Sequence, residues 1–328
     1  MQMRQLGGLW PVSALTLGGG GLGQVWGQTS REEAVATVAM AVDAGVTLLD
    51  LAPGYGHGEA EAVVGEAFAG RLPAGVRVTT KCQLGSPPRD EIRATIRRRL
   101  QRSLATLRLE RVDLLFLHSN IIPDDYRFPE PDLQDRFATR WSLYLDEVVP
   151  AFEQLRTEGL IGAWGITGVG LPDTICQALG ADPAPAAVQC VANCLDSAGA
   201  MRRYPEPAEP RRIIGRAADR GVGVMGIRAV QAGALTDGFD RAEVPQADRD
   251  DYDRAAGFRN LARDWGLTPA LLAHRYALGM NGVDTLVLGV KNRVELAECL
   301  RAEAAGALAP DEMAEVERAC RTGTAGAI

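Results

Sequence analysis

Short apolar runs alternate along the chain with stretches of helical period. Eight runs rich in β-branched and other apolar residues fall at 14–17, 47–52, 76–80, 112–117, 162–168, 187–195, 222–230 and 285–290, and each reads as a buried strand. Between them the pattern changes to amphipathic helix. Ser30 with Glu33 fits a capping box that opens a helix with Val35, Val38 and Val42 inside, stopped by Gly45. The segment 59–68 turns Val63, Val64, Ala67 and Phe68 to one side, and 90–109 carries a stripe of Ile92, Ile96, Leu100, Leu104 and Leu107. Pro172 sits at the first position of another helix. Further helices are expected at 211–220, in pieces from 250 to 278, at 293–300 and at 311–320. Eight strands, each followed by a helix, make an α/β chain of the (β/α)8 type, a TIM barrel. Ahead of it, residues 1–15 contain two short β-like pieces around Gly7-Gly8 and Pro11. They predict an N-terminal β-hairpin that plugs one end.

Composition narrows the class. A chain of 328 residues with 46% hydrophobic and 23% charged residues has the balance of a soluble globular protein. No composition shift marks a boundary, so residues 1–328 are expected to form a single barrel domain. The proline-rich 204–210 reads as a stiff loop. A formal net charge of −7 argues against a nucleic-acid face or an anionic membrane surface. The basic cluster Arg97-Arg98-Arg99 lies in a helical pattern and reads as a solvated face. No apolar stretch reaches the roughly 18 residues of a membrane span, and no signal-peptide core opens the chain. The six cysteines are scattered, without a CxxC pair. They read as thiols in a reducing, cytoplasmic compartment, with no metal site.

Candidate chemistry concentrates at strand ends. Asp50 is a lone carboxylate in the apolar run 47–52, where an unpaired charge is costly. Tyr55 follows on a glycine-flanked turn. Lys81 ends the run 76–80, and His118 ends the run 112–117. Active sites collect at the C-terminal ends of parallel strands. There the four form a proton-transfer set. An ammonium beside a phenol lowers its pKa from about 10, a carboxylate holds the lysine charged, and the histidine steers a carbonyl oxygen. Each residue taken singly has an equally ordinary structural reading.

Asp50, Tyr55, Lys81 and His118, in that order, together with the opening MRQLGGLWPVSALTLGGG, resemble the aldo-keto reductases across nearly the whole chain. The resemblance implies an NADP(H)-dependent oxidoreductase acting on an aldehyde, ketone or sugar, with NAD as the other cofactor, Tyr55 as general acid or base, and the cofactor lying across the strand tips. It implies carboxamide contacts at Thr167 and Gln189, with Ile227 at the place where many members stack an aromatic ring. The segment 289–299 is similar to the family's adenosine-binding segment. That makes Gly289, Lys291, Arg293, Glu295, Glu298 and Cys299 cofactor candidates, beside Gly19, Gly20 and Asp50. Lys291 and Arg293 suit a 2′-phosphate. Glu295 suits a ribose hydroxyl, or is a capping-box partner of Asn292.

The substrate side is read from loops. The connection 119–141 is long and carries Tyr126, Phe128, Phe137 and Trp141, which either wall a pocket or pin the loop. Trp26, in the loop after the first strand, is a pocket candidate, and His57 is a possible substrate contact. Trp164 and His274 read as structural. A short tail after Asp311 predicts an open pocket. The expected partner is a small carbonyl or sugar molecule, and neither nucleic acid nor membrane. Two other activities fit the same residues: a cofactor-binding regulator with little turnover, and a Schiff-base lyase using Lys81.

Overall fold

The computed structural model describes residues 1–322, so the end of the predicted tail, at 323–328, lies outside the described residues. Among the described residues eight parallel strands close into a barrel. In chain order they are β1 Leu15–Gly18, β2 Leu48–Asp50, β3 Arg77–Cys82, β4 Val112–Leu117, β5 Ile161–Thr167, β6 Ala187–Val191, β7 Gly223–Ile227 and β8 Thr285–Leu288. Each pairs with the next, and β8 returns to β1 through Leu286↔Leu15 and Leu288↔Leu17. The helices that follow them are α1 Arg31–Asp43, α2 Glu59–Ala67, α3 Ile92–Leu107, α4 Val149–Thr157, α5 Pro172–Leu179, α6 Pro210–Asp219, α7 Pro269–Gly279 and α8 Arg293–Ala305. Two extra helices, Gln246–Arg254 and Ala256–Asp264, precede α7, and Pro310–Thr322 ends the described chain. No helix among the described residues is long and apolar enough to cross a membrane.

The period of two along each strand sorts residues between interior and exterior. In β3, Thr79 and Lys81 face the lumen, while Thr80 turns outward and donates to Glu61 of α2 at 2.6 Å. Burial pushes the Glu61 carboxyl up, against the bonds from Thr80 and Ser103. The lower lumen is apolar. Leu48, Leu114, Phe116, Ala163, Ala187 and Met225 pack there with Leu6 and Val12. Gly165 leaves room for the Phe116 ring, since an added Cβ would stand 2.4 Å from Cε1.

The expected hairpin is present. Met3–Gln5 pairs antiparallel with Pro11–Ser13, and its turn inserts Leu6, fully buried, against Gly223 at the start of β7. The stripe on α3 is buried at all five expected positions. On α1 the inward face is Ala34, Thr37, Val38 and Ala41, so of the three expected valines only Val38 is fully buried. Ser30 caps α1 by accepting from the Glu33 N–H at 3.1 Å. The reciprocal half of the capping box is absent, because the Glu33 carboxylate is taken by Arg293.

If Leu6 is the stopper of the barrel floor, Leu6→Ala should lower unfolding stability by about 2–5 kcal/mol. Urea unfolding followed by tryptophan fluorescence measures it, and a loss below about 1 kcal/mol would remove Leu6 from that role.

Candidate active site

β2 and β6 stand four places apart in a ring of eight, on opposite walls. Gln189 of β6 nevertheless reaches Asp50 of β2, donating Nε2 to Oδ1 at 2.6 Å. Thr79, whose Cα pairs with Asp50, donates to the same oxygen at 2.7 Å. The other carboxylate oxygen takes the Lys81 ammonium at 2.7 Å, and that ammonium also donates to the Leu51 carbonyl at 2.9 Å. Asp50 and Lys81 are each 2% exposed. A pair this desolvated persists only when its remaining hydrogen-bonding capacity is met, and these four bonds, with a hydrogen bond between the ammonium and Tyr55, supply that.

Tyr55 sits above the pair on the turn after β2. The Lys81 Nζ lies 4.9 Å from its ring centroid. The His118 ring stands edge-on to the same phenol, with centroids 6.3 Å apart. Backbone bonding fixes His118 by extending the β3–β4 ladder one step, His118 N to the Cys82 carbonyl at 2.8 Å. The four residues expected to converge therefore do so.

The electrostatics differ from expectation in one respect. Burial raises the Tyr55 pKa above its ordinary 10, and Asp50 adds to that; Lys81 pulls it down by charge and hydrogen bonding without reversing the direction. The phenol is thus held protonated, where the sequence had suggested an acidified one. For Lys81, burial alone favours the neutral amine, but Asp50 and Tyr55 outweigh it and raise the pKa. A buried, permanently charged lysine is a poor Schiff-base nucleophile, which removes support from the lyase reading. Burial, then the charges of Lys81 and Arg203, depress His118 to about 3. It is a neutral imidazole at physiological pH.

These residues open into a cavity of about 750 Å³, within the range of small-molecule sites. Of the expected contacts Gly19, Gly20, Trp26, Asp50, Thr167, Gln189, Ile227, Gly289, Lys291, Glu295, Glu298 and Cys299 line it. The floor near β1 and β8 is glycine-lined: a Cβ on Gly20 would meet the Trp26 Nε1 at 2.6 Å, and one on Gly289 would meet the same atom at 3.1 Å. Lys291 is paired with Glu295 and with Asp240, the latter at 3.0 Å. Arg293 points away from the cavity and binds Glu33. The start of α8 is capped, Asn292 accepting from the Glu295 N–H at 2.9 Å, while the Glu295 side chain returns to the Lys291 N–H at 2.9 Å.

Three expected substrate contacts lie elsewhere. His57 is an exposed turn residue at φ 55°. Tyr126 donates to Glu206 at 2.8 Å and packs on Phe128. Trp141 packs on Tyr144. The connection 119–141 is folded, with Asn120–Ile122 and Ala138–Arg140 pairing in parallel. From it Ser119, Asn120 and Phe137 reach the cavity.

A second wall was not anticipated. The connection from Ile227 to Gln246 lines the cavity from Arg228 to Arg241. Arg228, Gln231 and Ala232 hold positive φ, which costs free energy in a non-glycine residue unless surroundings impose it. Here a buried network does: Arg228 binds Asp248 at 2.7 Å and Gln231 at 2.8 Å, and Gln231 binds Asp251 at 2.6 Å. The available signal was the length of this connection, well beyond the usual two to six residues of a βα loop. His274, read as structural, also lines the cavity. Its Nδ1 bonds the Ala270 carbonyl at 2.7 Å, and its Nε2 lies 3.4 Å from the Cys299 sulfur.

Comparison with known proteins gives concordant results. The model described as "Aldo/keto reductase family" matches residues 14–321. An L-galactose dehydrogenase of Arabidopsis thaliana is 32% identical over 175 residues, covering 52% of this chain and 50% of that protein. A D-threo-aldose 1-dehydrogenase of a Pseudomonas species is 29% identical over 192 residues, covering 51% and 53%. The chain spans about half the length of the curated relatives it matches. A glycerol dehydrogenase structure from Gluconobacter oxydans superposes with a TM-score of 0.71 at 22% identity, covering 99% of this chain and 97% of that one. At that identity the likeness carries the fold alone.

Unfolded histidine takes up a proton below about 6.5, whereas folded His118 does so only near 3. Between those values protonation favours the unfolded state, so the His118 contribution is present above 6.5 and is lost as pH falls toward 3. Urea midpoints at pH 7.5 and 4.5 should therefore fall further for the parent than for His118→Gln. Equal falls would show that His118 is not held neutral in the folded protein.

Proposed function

The chain belongs to the aldo/keto reductase family, and on that premise we propose that it is an NAD(P)H-dependent oxidoreductase that moves a hydride between a nicotinamide and the carbonyl or carbinol carbon of a small aldehyde, ketone or sugar. The observation that carries this reading is the Lys81–Asp50 ion pair at 2.7 Å directly beneath the Tyr55 phenol and beside His118. The dehydrogenase names of the two curated relatives agree with it.

The cavity fits the cofactor. It joins the four residues to a glycine-lined floor at Gly19, Gly20 and Gly289, where added side chains would intrude on Leu51 at the first and on Trp26 at the other two. Thr167, Gln189 and Ile227 would hold the nicotinamide end. Lys291, Glu295, Glu298 and Cys299 would hold the adenosine end. Bound there, the nicotinamide supplies the hydride in reduction and accepts it in oxidation. Tyr55, held protonated, donates its proton to the substrate oxygen as negative charge develops on it. Lys81, held charged by Asp50, stabilises the phenolate left behind. Neutral His118 orients the same oxygen through a ring N–H. In the reverse direction the phenol, its pKa raised, must first ionise, so oxidation gains with rising pH.

NADP(H) is the preferred cofactor in this reading, with Lys291 as the contact for the 2′-phosphate. Because Glu295 and Asp240 already neutralise Lys291, the phosphate competes with them and the preference over NAD(H) is modest.

Tyr55→Phe should lower carbonyl reduction by about 10²- to 10⁴-fold while quenching of Trp26 fluorescence by cofactor stays near the parent's; comparable turnover would remove Tyr55 as the proton donor. The pH profile of kcat/KM for reduction should be flat from pH 5 to 9, with no break near 6.5, since neither Tyr55 nor His118 titrates there. A His118-dependent limb at neutral pH contradicts the neutral-imidazole role. Glu295→Gln should raise the NADPH-to-NADH affinity ratio by roughly 10-fold, about one charge-assisted contact. An unchanged ratio would exclude Lys291 as the phosphate contact.

A further inference from the structure

The cations that line the cavity are not equivalent. Arg228 and Arg241 both bind Asp248 at 2.7 Å, and Lys291 binds Asp240 at 3.0 Å. Arg203 has no carboxylate partner among the described residues. Its polar contact is a long bond to the Met201 carbonyl, 3.4 Å from Nη1. Its guanidinium lies over the Phe137 ring, with Cζ 3.8 Å from the ring centroid. A second guanidinium, that of Arg136, approaches the same ring to 4.9 Å. Burial and the charge of Arg136 both lower the Arg203 pKa, yet an arginine stays charged in any protein environment.

The place of this charge matters. Phe137 belongs to the connection after β4, as does His118, and Arg203 is close enough for its charge to depress His118. Arg203 itself follows β6 but packs on Phe137 of the β4 connection, and β4 stands opposite β8 in the ring, so its guanidinium is on the His118 side of the cavity, away from the β8 connection that carries Lys291. A guanidinium that is partly desolvated, crowded by another and left without an anion is unfavourable in the free protein. A ligand that brings the missing anion relieves it. Phe137 shields the guanidinium on one side, and the guanidinium N–H groups other than the one on the Met201 carbonyl are left for oxygen atoms.

Resting on the oxidoreductase reading above, we propose that Arg203 is a specificity-determining residue that selects carbonyl substrates bearing an anionic group, a carboxylate or a phosphate, over neutral ones. Arg203 binds the charged end, Phe137 backs the guanidinium, and the carbonyl end is left to Tyr55 and His118.

The test compares matched pairs of aldehydes: 4-carboxybenzaldehyde against 4-nitrobenzaldehyde for carboxylate, and glyceraldehyde 3-phosphate against glyceraldehyde for phosphate. The full chain, Arg203→Met and Arg203→Lys are assayed with saturating NADPH. The parent should favour the anionic member of at least one pair, and which pair it favours identifies the anion. Arg203→Met should lose about 10- to 100-fold in kcat/KM for that member, mainly through KM, and stay within about two-fold on its neutral partner. Arg203→Lys should recover part of the loss. Equal use of charged and neutral members by the parent, or equal losses on both in Arg203→Met, would overturn the proposal. Calorimetry of 4-(hydroxymethyl)benzoate and of glycerol 3-phosphate with the NADP+-saturated protein separates this idea from the activity itself. Arg203-dependent binding without turnover would retain the anion site and discard the oxidoreductase reading. Turnover of neutral aldehydes without Arg203-dependent binding would do the reverse.

Discussion

The Asp50–Lys81 pair is the constraint on which the upper half of the barrel depends. Neither charge is tolerable alone in a lumen whose lower layer is Leu48, Leu114, Phe116 and Met225. Together they are held by Thr79, Gln189 and the Leu51 carbonyl. A hydrophobic replacement of both would serve stability as well or better, so folding gives no reason for the pair. Its position under a phenol gives one: a fixed positive charge that cannot be swept away by water, placed where a negative charge would have to appear.

The same pair ties the molecule together across its width. Gln189 crosses from the far wall to reach Asp50, so β2, β3 and β6 share one polar cluster. The cavity above it is then divided by the order of strands. Connections after β8 and β1 supply glycines, Trp26 and Lys291. Those after β4 and β6 supply Phe137, His118 and Arg203. The connection after β7 forms a further wall, held by the buried Arg228–Gln231–Asp248–Asp251 network. Rigid strands set the positions, and the connections set what each side of the opening recognises.

Much of this was legible in the residues. The eight apolar runs fall on the eight strands because a parallel barrel buries both faces of every strand. The α3 stripe is unambiguous because five apolar residues recur at helical spacing. Strand ends were less legible. The run at 187–195 outlasts its strand, which stops at Val191, because Ala192, Cys194 and Leu195 stay buried in the connection, and hydrophobicity reports burial without reporting conformation. Side-chain direction was illegible in loops. Tyr126 and Trp141 are as aromatic as Phe137, yet they face Glu206 and Tyr144. Long-range partners were equally hidden. Glu33 was expected to close a local cap, but Arg293, 260 residues away, takes it. The direction of the Tyr55 shift depended on a balance between burial and a neighbouring charge, and sequence gives the neighbour without giving the depth.

With Leu6 buried in its base, the barrel opens, among the described residues, through the mouth above Asp50. In the proposed chemistry two molecules must pass through it, and whichever lies deeper is fenced in by the other. Their loading and unloading then form a queue, last in and first out. The pace of a full cycle is therefore sensitive to how readily the mouth's connections let the first occupant go, quite apart from the speed of the bond-making step at Tyr55.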